Sequence, residues 1–283
     1  MRLRVLALAI GLATSHLAFA QWMGKQTGCY TVPMAANPNR PTVANPADIT
    51  QYGVLELEYG WDRFWPEANS TLTSGGGLLK FGLLCDLELR WNTVSYISVT
   101  DPSGNTRGIG DNTVGPQLRF YHQTKHVPSL AVSYSVKIPS ADSAKGLGSG
   151  KVDHAFLFLA SKDIAGFHLD FNVAEFLDGR TSGSGFDKNQ LLTLSTAHPI
   201  RGPLALTAEF YGTTELNSST PGFASTLWAL SYAVTKRFVV DGGYEAGLTA
   251  GGPHRHAFFG ATYSIANLYP GWRKQTSSKP NNP

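Results

Sequence analysis

Charged side chains fall on alternate positions within short apolar segments of this chain. Lys80, Glu88 and Arg90 share one parity, and Leu89 and Trp91 share the other. Because successive side chains of a β-strand point to opposite faces, such a strand has one apolar face and one ionic face. The chemistry open to the ionic face is ion pairing or the solvation of polar solutes, and neither requires a catalytic residue.

The parity predicts which residues would line the interior of a closed barrel whose apolar face meets lipid. The predicted lumen-lining residues are Glu56, Glu58, Lys80, Glu88, Arg90, Arg119, Lys137, Asp170, Glu209, Asp241 and Glu245. With Asp153 this makes eight acids and four bases. A water-filled lumen of this kind would favour cations or neutral polar solutes over anions. Alternatively, the charges form ion pairs that simply fill a narrow barrel.

Two glycine-rich segments precede strand patterns. Phosphate-binding loops are followed by a helix N-terminus, so these segments are not predicted to bind a nucleotide. Glycine allows tight turns, and aspartate caps turn amides. The predicted loop and turn residues are Gly108, Gly110, Asp111, Gly146, Gly148, Gly150 and Asp153. We hypothesise that these loops narrow the mouth of the barrel.

An enzyme is the main alternative, because some outer-membrane barrels act on lipids with serine and histidine. His154 lies on the apolar parity and is the candidate base. A lone histidine in a strand is usually structural, and no Ser–His spacing recurs. His254 and His256 without nearby thiolates or paired carboxylates make a weak metal site. The sequence therefore predicts no catalytic residue, no metal and no cofactor.

The N-terminus has the pattern of a cleaved signal peptide over residues 1–20. Arg2 and Arg4 precede an apolar run, and Ala18-Phe19-Ala20 supplies a small-x-small cleavage site. The apolar run is shorter than the roughly 20 residues that span a bilayer. We expect export to the periplasm and a mature chain that begins near Gln21.

Residues 21–51 are rich in Asn, Pro and Thr and lack periodicity, which predicts an irregular periplasmic or lumenal leader. Cys29 lies in this leader, and Cys85 lies at the first periplasmic turn. In an oxidising periplasm the two could form a disulfide. The chain-entropy model gives roughly 4 kcal/mol for closing such a loop. Both could equally be free thiols.

About twelve candidate strands follow over residues 52–266, with a polar C-terminal tail at 267–283. Thirty glycines and 15% charged residues suit many short strands joined by turns. Connections alternate between short and long, as in barrels with short periplasmic turns and longer extracellular loops. The predicted fold class is all-β, an antiparallel transmembrane β-barrel. Long loops are expected at 62–76, 99–112, 139–150, 178–188 and 213–223, and the registers of the strands near 151–161 and 189–197 stay open.

A soluble β-sandwich would give the same alternation with the two faces exchanged. Its apolar residues would pack between the sheets, and its polar residues would face the solvent. The ionic face of the segment 53–61 and the paired loop lengths favour the barrel.

Three segments, GVLELEYGW at 53–61, GIGDNTVGPQLRFY at 108–121 and the stretch 128–158, resemble the family of outer-membrane transporters linked to the meta-pathway of phenol degradation. The similarity covers most of the mature chain. In the leader the family more often reads Thr-Asp-Arg-Pro, where this chain has Asn39-Arg40-Pro41. The resemblance implies an outer-membrane barrel that passes small molecules, with small aromatic compounds as the expected solutes.

The expected partners are outer-membrane lipid, a small-molecule solute and the outer-membrane assembly machinery. Nucleic acid is not expected, because basic residues are scattered singly and form no phosphate-binding stripe. A non-conducting structural barrel and a lipid-modifying enzyme remain as alternatives.

Overall fold

The computed structural model describes residues 29, 32–66, 69–217, 220–252 and 255–269. Residues 34–268 form one compact unit that contains the whole sheet, and the remaining described residues belong to a second. The predicted signal peptide and the predicted tail beyond residue 269 lie outside the described residues.

The sheet of the described chain consists of thirteen antiparallel strands, of which twelve form a closed barrel wall. Consecutive strands pair along the wall, and β1 closes it by pairing with both β2 and β13. The short β4 pairs only with the outer end of β3, so that β3 pairs with β5 in the wall. The strands are β1 Val54–Trp65, β2 Thr71–Leu84, β3 Leu87–Asp101, β4 Gly104–Gly108, β5 Asn112–Tyr121, β6 Ser129–Ile138, β7 Asp153–Ile164, β8 Phe167–Gly179, β9 Phe186–Arg201, β10 Leu204–Thr213, β11 Phe223–Thr235, β12 Phe238–Gly247 and β13 Arg255–Asn267.

Apolar side chains lie on the outside of this barrel and charged ones lie inside. Trp91 of β3 is 50% exposed and Phe259 of β13 is 63% exposed. Glu209, which faces inward from β10, has no exposed surface. A soluble protein would bury the aromatic residues and expose the carboxylate. The predicted antiparallel transmembrane barrel is therefore confirmed, and the sandwich alternative is wrong.

Two of the predicted long loops contain strand. The pairs Phe64↔Leu72 and Asp178↔Asp187 show that β1 and β2 occupy most of the segment 62–76, and that β8 and β9 continue into the two ends of the segment 178–188. A third predicted loop, 99–112, contains β4. Polar composition hid these extensions, because strands that project into water need no apolar face, and only cross-strand pairing holds them.

The two registers that the sequence left open are fixed by their neighbours. In β7, Leu159 is buried and Phe158 is exposed, since Ser129 of β6 pairs with Ser161. In β9, Thr193 and Ser195 are buried and Leu194 is exposed.

The described part of the chain contains no helix with the length and apolar character of a membrane span.

Candidate functional site

The inner half of the barrel lumen is filled by residues 34–50, which we call the leader loop. Its first part lies at the periplasmic end, where the Ala36 N–H donates to the carbonyl of Lys236 in the short β11–β12 turn, 2.8 Å away. Its last part lies near the start of β3, where the Thr50 N–H donates to Glu88 over 2.7 Å. Between these points it reaches the middle of the lumen. The loop is therefore inserted from the periplasmic end and returns to it.

Wall carboxylates bind the backbone of the leader loop at its deepest point. Glu58 accepts the consecutive N–H groups of Asn39 and Arg40 at 2.8 and 3.0 Å. Across the lumen, Glu209 accepts those of Val43 and Ala44 at 2.8 and 2.6 Å. Two carboxylates thus satisfy four backbone donors that have no partner strand, which a buried chain segment requires.

Other wall side chains continue this pattern along the loop. Asn172 forms two hydrogen bonds with the backbone of Asn45, accepting from its N–H at 2.7 Å and donating to its carbonyl at 2.9 Å. The remaining wall acceptors are Glu56 for the Asn37 N–H, Ser161 for the Ala47 N–H and Glu88 for the Thr50 N–H.

Three prolines, Pro38, Pro41 and Pro46, interrupt this series of backbone donors. Proline has no N–H, so these positions need no acceptor inside the barrel. The Asn-Pro and Arg-Pro steps that predicted an irregular segment thus reduce the number of donors that the wall must satisfy.

The tip of the leader loop is closed by its own side chains and held by two wall cations. Asn39 hydrogen-bonds Asn45, and the Thr42 hydroxyl lies 3.1 and 2.8 Å from the carbonyls of Asn39 and Ala44. Lys80 donates to Asn39 Oδ1 at 2.8 Å, and Arg90 donates to Asn45 Oδ1 at 3.0 Å.

Lys80 is the centre of a fully buried ionic cluster. Its Nζ lies 2.8 Å from Glu56 and 2.6 Å from Glu58, and none of the three side chains is more than 2% exposed. Removing one partner of such a group leaves a buried charge unpaired, which is strongly destabilising. At this level the predicted charges fill the barrel and bind the leader loop.

The other predicted lumen residues are also engaged. Arg90 lies 3.4 Å from Glu88, Arg119 lies 2.7 Å from Asp48 of the leader loop and 2.9 Å from Asp86, and Asp170 lies 3.2 Å from His168. Asp241 binds Arg40 at 3.2 Å, Glu245 binds His256 at 2.7 Å and Tyr211, and Lys137 binds Asp111 and Asp153.

Several participants were missed in the sequence. Asp62 lies 3.0 Å from His256, and both belong to the same inward parities as Glu58 and Ser264. Thr193 donates to Glu209 at 2.6 Å. If the alternation had been extended to every polar residue of each strand, Asp62, His256 and Thr193 would have been predicted to face the lumen. The leader loop could not have been found in this way, because its sequence has no periodic signal.

The outer half of the lumen contains a cavity of about 440 Å³. Val43 and Asn45 of the leader loop line one side, and Lys137, Asp153 and Asp178 at the outer ends of their strands line the other. Its apolar lining residues include Leu78, Leu157, Phe176 and Leu191. The cavity can therefore hold a small solute that has an apolar body and a polar group.

The loop at 139–150 packs on the segment that carries Gly108 and Asp111. Asp111 accepts the Ala141 N–H at 2.9 Å, and Leu147 is buried so close to Gly108 that an added Cβ there would lie 2.6 Å from it. Gly146 and Gly150 have φ of 70° and 67°, which other residues rarely adopt. The predicted turn residues thus hold two outer segments together.

The remaining loop residues follow the same pattern. An added Cβ at Gly110 or Gly148 would lie within 2.8 Å of Val94 or of Ala141. Asp153 accepts the Gly179 N–H at 2.8 Å. In the exposed turn, a hydrogen bond from Lys145 lowers the pKa of Asp142 below its ordinary value.

The candidates for other chemistry lie apart from the leader loop. The Tyr134 hydroxyl hydrogen-bonds His154 Nδ1 at 2.8 Å, and His154 also contacts the Phe186 ring. Within the described ranges no group of three or more His, Cys, Asp or Glu side chains could hold a metal ion. Neither Cys29 nor Cys85 is a free thiol, and their pairing with each other stays a prediction.

Solved structures with a similar fold include an outer-membrane channel and two porins. An outer membrane channel from Pseudomonas putida F1 aligns with a TM-score of 0.63 at 13% identity, over 80% of this chain and 100% of that one. The NanC porin aligns with a TM-score of 0.52 at 9% identity, over 75% and 100%, and the KdgM porin with 0.50 at 11%, over 75% and 99%. At these identities the likeness shows the fold.

No curated protein matches this sequence. A family model does, over residues 38–265, which include most of the leader loop and nearly all of the barrel. Its description is "Putative MetA-pathway of phenol degradation". The match covers well over half of the chain and confirms the resemblance found in the sequence, so this chain belongs to that family.

Proposed function

We propose that this protein is an outer-membrane channel that passes small molecules passively, with the outer cavity as its vestibule and the leader loop as its constriction. The observation that carries the proposal is the lipid-compatible barrel whose lumen holds a cavity of about 440 Å³ directly against Val43 and Asn45. The leader loop separates that cavity from the periplasmic end.

The solutes are small, and aromatic compounds with one polar group suit the vestibule best. A cavity of about 150 Å³ is enough to hold benzene, so this cavity has room for a one-ring compound. Its lining combines leucine and phenylalanine side chains with Lys137 and Asp153. The family's description, which links it to phenol degradation, supports the same class.

Passage to the periplasm requires movement of the leader loop. The wall holds its backbone through side-chain hydrogen bonds and no strand pairing, so the loop can leave without opening the barrel. Each of these bonds to a carboxylate contributes about 1.5–3 kcal/mol, and release of the whole loop is therefore rare without a trigger.

The proposed processing follows from the sequence. Residues 1–20 direct export and are removed, residues 21–51 form the leader, 52–266 form the barrel, and 267–283 form a polar tail. The barrel is inserted into the outer membrane of a Gram-negative cell by the assembly machinery, where its apolar face contacts lipid.

The test is single-channel current from refolded mature protein in planar bilayers, compared with a variant that lacks residues 36–49. We expect rare or small current steps from the intact protein and larger, cation-selective steps from the variant, because acids then outnumber bases in the lumen. Added phenol should reduce the current by binding in the vestibule. A folded deletion variant that gives no current steps would contradict the proposal that this protein is a channel.

The filled inner lumen favours one other function, a non-conducting structural barrel. That function predicts silence from both proteins, with a normal heat-modifiable gel shift as proof of folding. Within the described residues His154 hydrogen-bonds the Tyr134 hydroxyl and no serine, so we do not propose the lipid-modifying enzyme.

A further inference from the structure

The guanidinium of Arg40 lies in a recess formed by two glycines. Gly60 of β1 and Gly260 of β13 pair directly, and both face the lumen. An added Cβ at Gly60 would lie 2.3 Å from Arg40 Nη1, and one at Gly260 would lie 2.4 Å from Arg40 Nε. At Gly60 the three nearest atoms all belong to the Arg40 guanidinium. Any larger residue there would displace Arg40.

The recess carries the groups that recognise a planar cation. Asp241 of β12 pairs with Gly260, so Gly60, Gly260 and Asp241 form one row across three neighbouring strands. Both Asp241 oxygens lie 3.3 Å from Arg40 Nε. The Phe258 ring centroid lies 5.9 Å from the guanidinium carbon. A carboxylate beside an aromatic ring, in a slot too narrow for a side chain, suits guanidinium better than ammonium.

The surroundings of the recess are acidic. Glu58 and Asp62 flank Gly60 on the same face of β1, and both line a cavity of about 260 Å³ beside Arg40. This cavity gives a small cation access to the recess from the lumen.

Arg40 does not saturate this recess. Its Nη2 is buried and lies 3.2 Å from Asp241, yet it makes no hydrogen bond. A buried donor left unsatisfied costs free energy that a better-placed ligand would recover. A ligand that is not tethered to the chain could align this donor with Asp241 better than Arg40 does.

We propose that Gly60, Asp241, Phe258 and Gly260 form a guanidinium-binding site that Arg40 occupies in cis, and that soluble guanidinium compounds compete for it and release the leader loop. This proposal goes beyond the proposed function, because it assigns a ligand-binding site and does not depend on whether the protein conducts. Occupancy of the site is measured by the exchange of leader-loop amides and not by current.

The experiment is amide hydrogen exchange of folded mature protein in detergent, titrated with arginine amide. The N–H groups of Asn39, Arg40, Val43 and Ala44 donate to wall carboxylates and should exchange slowly. Because Arg40 is tethered, competition needs about 1–100 mM ligand. We expect these amides to exchange about tenfold to a hundredfold faster at saturation, as loss of a charged hydrogen bond predicts.

Lysine amide at the same concentration and ionic strength is the control, and it should have little effect. Equal effects of the two compounds would show simple screening of charge and would overturn the proposal. An unchanged exchange rate with arginine amide would overturn it as well.

Two variants test the recess itself. Gly60→Ala should give fast leader-loop exchange without ligand and no further response to arginine amide. Arg40→Ala should leave the recess vacant, so that arginine amide binds directly in calorimetry. Gly242→Ala is the matched control, since an added Cβ there would approach no atom closer than 3.3 Å. If Gly60→Ala does not fold, the titration of the unaltered protein and the calorimetry of Arg40→Ala still test the proposal. Slow exchange in a folded Gly60→Ala variant would contradict the proposal.

Discussion

The two halves of the lumen use the same inward parity for opposite purposes. In the inner half, Glu58 and Glu209 bind the backbone of the leader loop, and Lys80 is fully buried between carboxylates. In the outer half, Lys137 and Asp153 border a cavity. The strands are continuous through both halves. The difference lies only in whether a second segment of chain returns between the walls, which shows that an ionic barrel face does not by itself specify an open pore.

The largest expected effect comes from breaking the inner half at its centre. Lys80→Met leaves Glu56 and Glu58 buried without their cation, and we expect a loss of about 3–5 kcal/mol in the free energy of unfolding. Urea unfolding followed by the heat-modifiable gel shift measures it. Arg180→Met is the control, because its pair with Asp187 is exposed and should contribute only about 0–1 kcal/mol. Equal losses of unfolding free energy in the two variants would contradict the view that buried ion pairs hold the inner half of the lumen together.

The second effect concerns the predicted disulfide between Cys29 and Cys85. If the two are bonded, reduction should lower the free energy of unfolding by roughly 4 kcal/mol in the chain-entropy model. Mass spectrometry of a non-reduced digest identifies the bond, and the same unfolding assay with and without reductant measures its contribution. A Cys29→Ser variant that is as stable as the oxidised protein would show that the bond is absent or unimportant.

A smaller effect is expected from Glu209→Gln. The amide keeps the size of the carboxylate but replaces one of its two acceptor oxygens with an NH2 group, so that the N–H of either Val43 or Ala44 faces a donor. We expect a loss of about 1.5–3 kcal/mol in the protection of these two amides, measured by hydrogen exchange. Glu175→Gln is the control, because Glu175 hydrogen-bonds the exposed Gln190 at 2.9 Å. Unchanged protection would mean that the leader loop is held elsewhere.

The smallest expected effect on stability comes from the outer half. Deleting residues 143–149 removes the turn that packs Leu147 on Gly108, and it should change single-channel current while leaving leader-loop exchange unaltered. An unchanged current would end the hypothesis that this loop narrows the mouth. Faster leader-loop exchange would show that the two halves are coupled.

The strand alternation was enough to predict the barrel because each face of a strand meets only one environment. Leu89 and Trp91 needed an apolar surrounding, and Glu88 and Arg90 needed a polar one, so their parity predicted both faces. The outer extensions of β1, β2, β8 and β9 were not predicted in the same way, because their composition is polar and rich in glycine, and only the cross-strand pairing shows that they are strand.

The sequence by itself determined the fold class, the inward and outward faces, and the irregular character of the leader. Only the tertiary structure decided that the leader returns into the lumen and that Gly60 and Gly260 make room for Arg40. These contacts join residues that are far apart in the chain, such as Arg40 and Asp241, through side-chain acceptors that follow no local pattern. Proline spacing removes backbone donors, but the positions of the wall carboxylates that bind the remaining donors depend on strand register. Register is a property of the closed barrel and of no single strand.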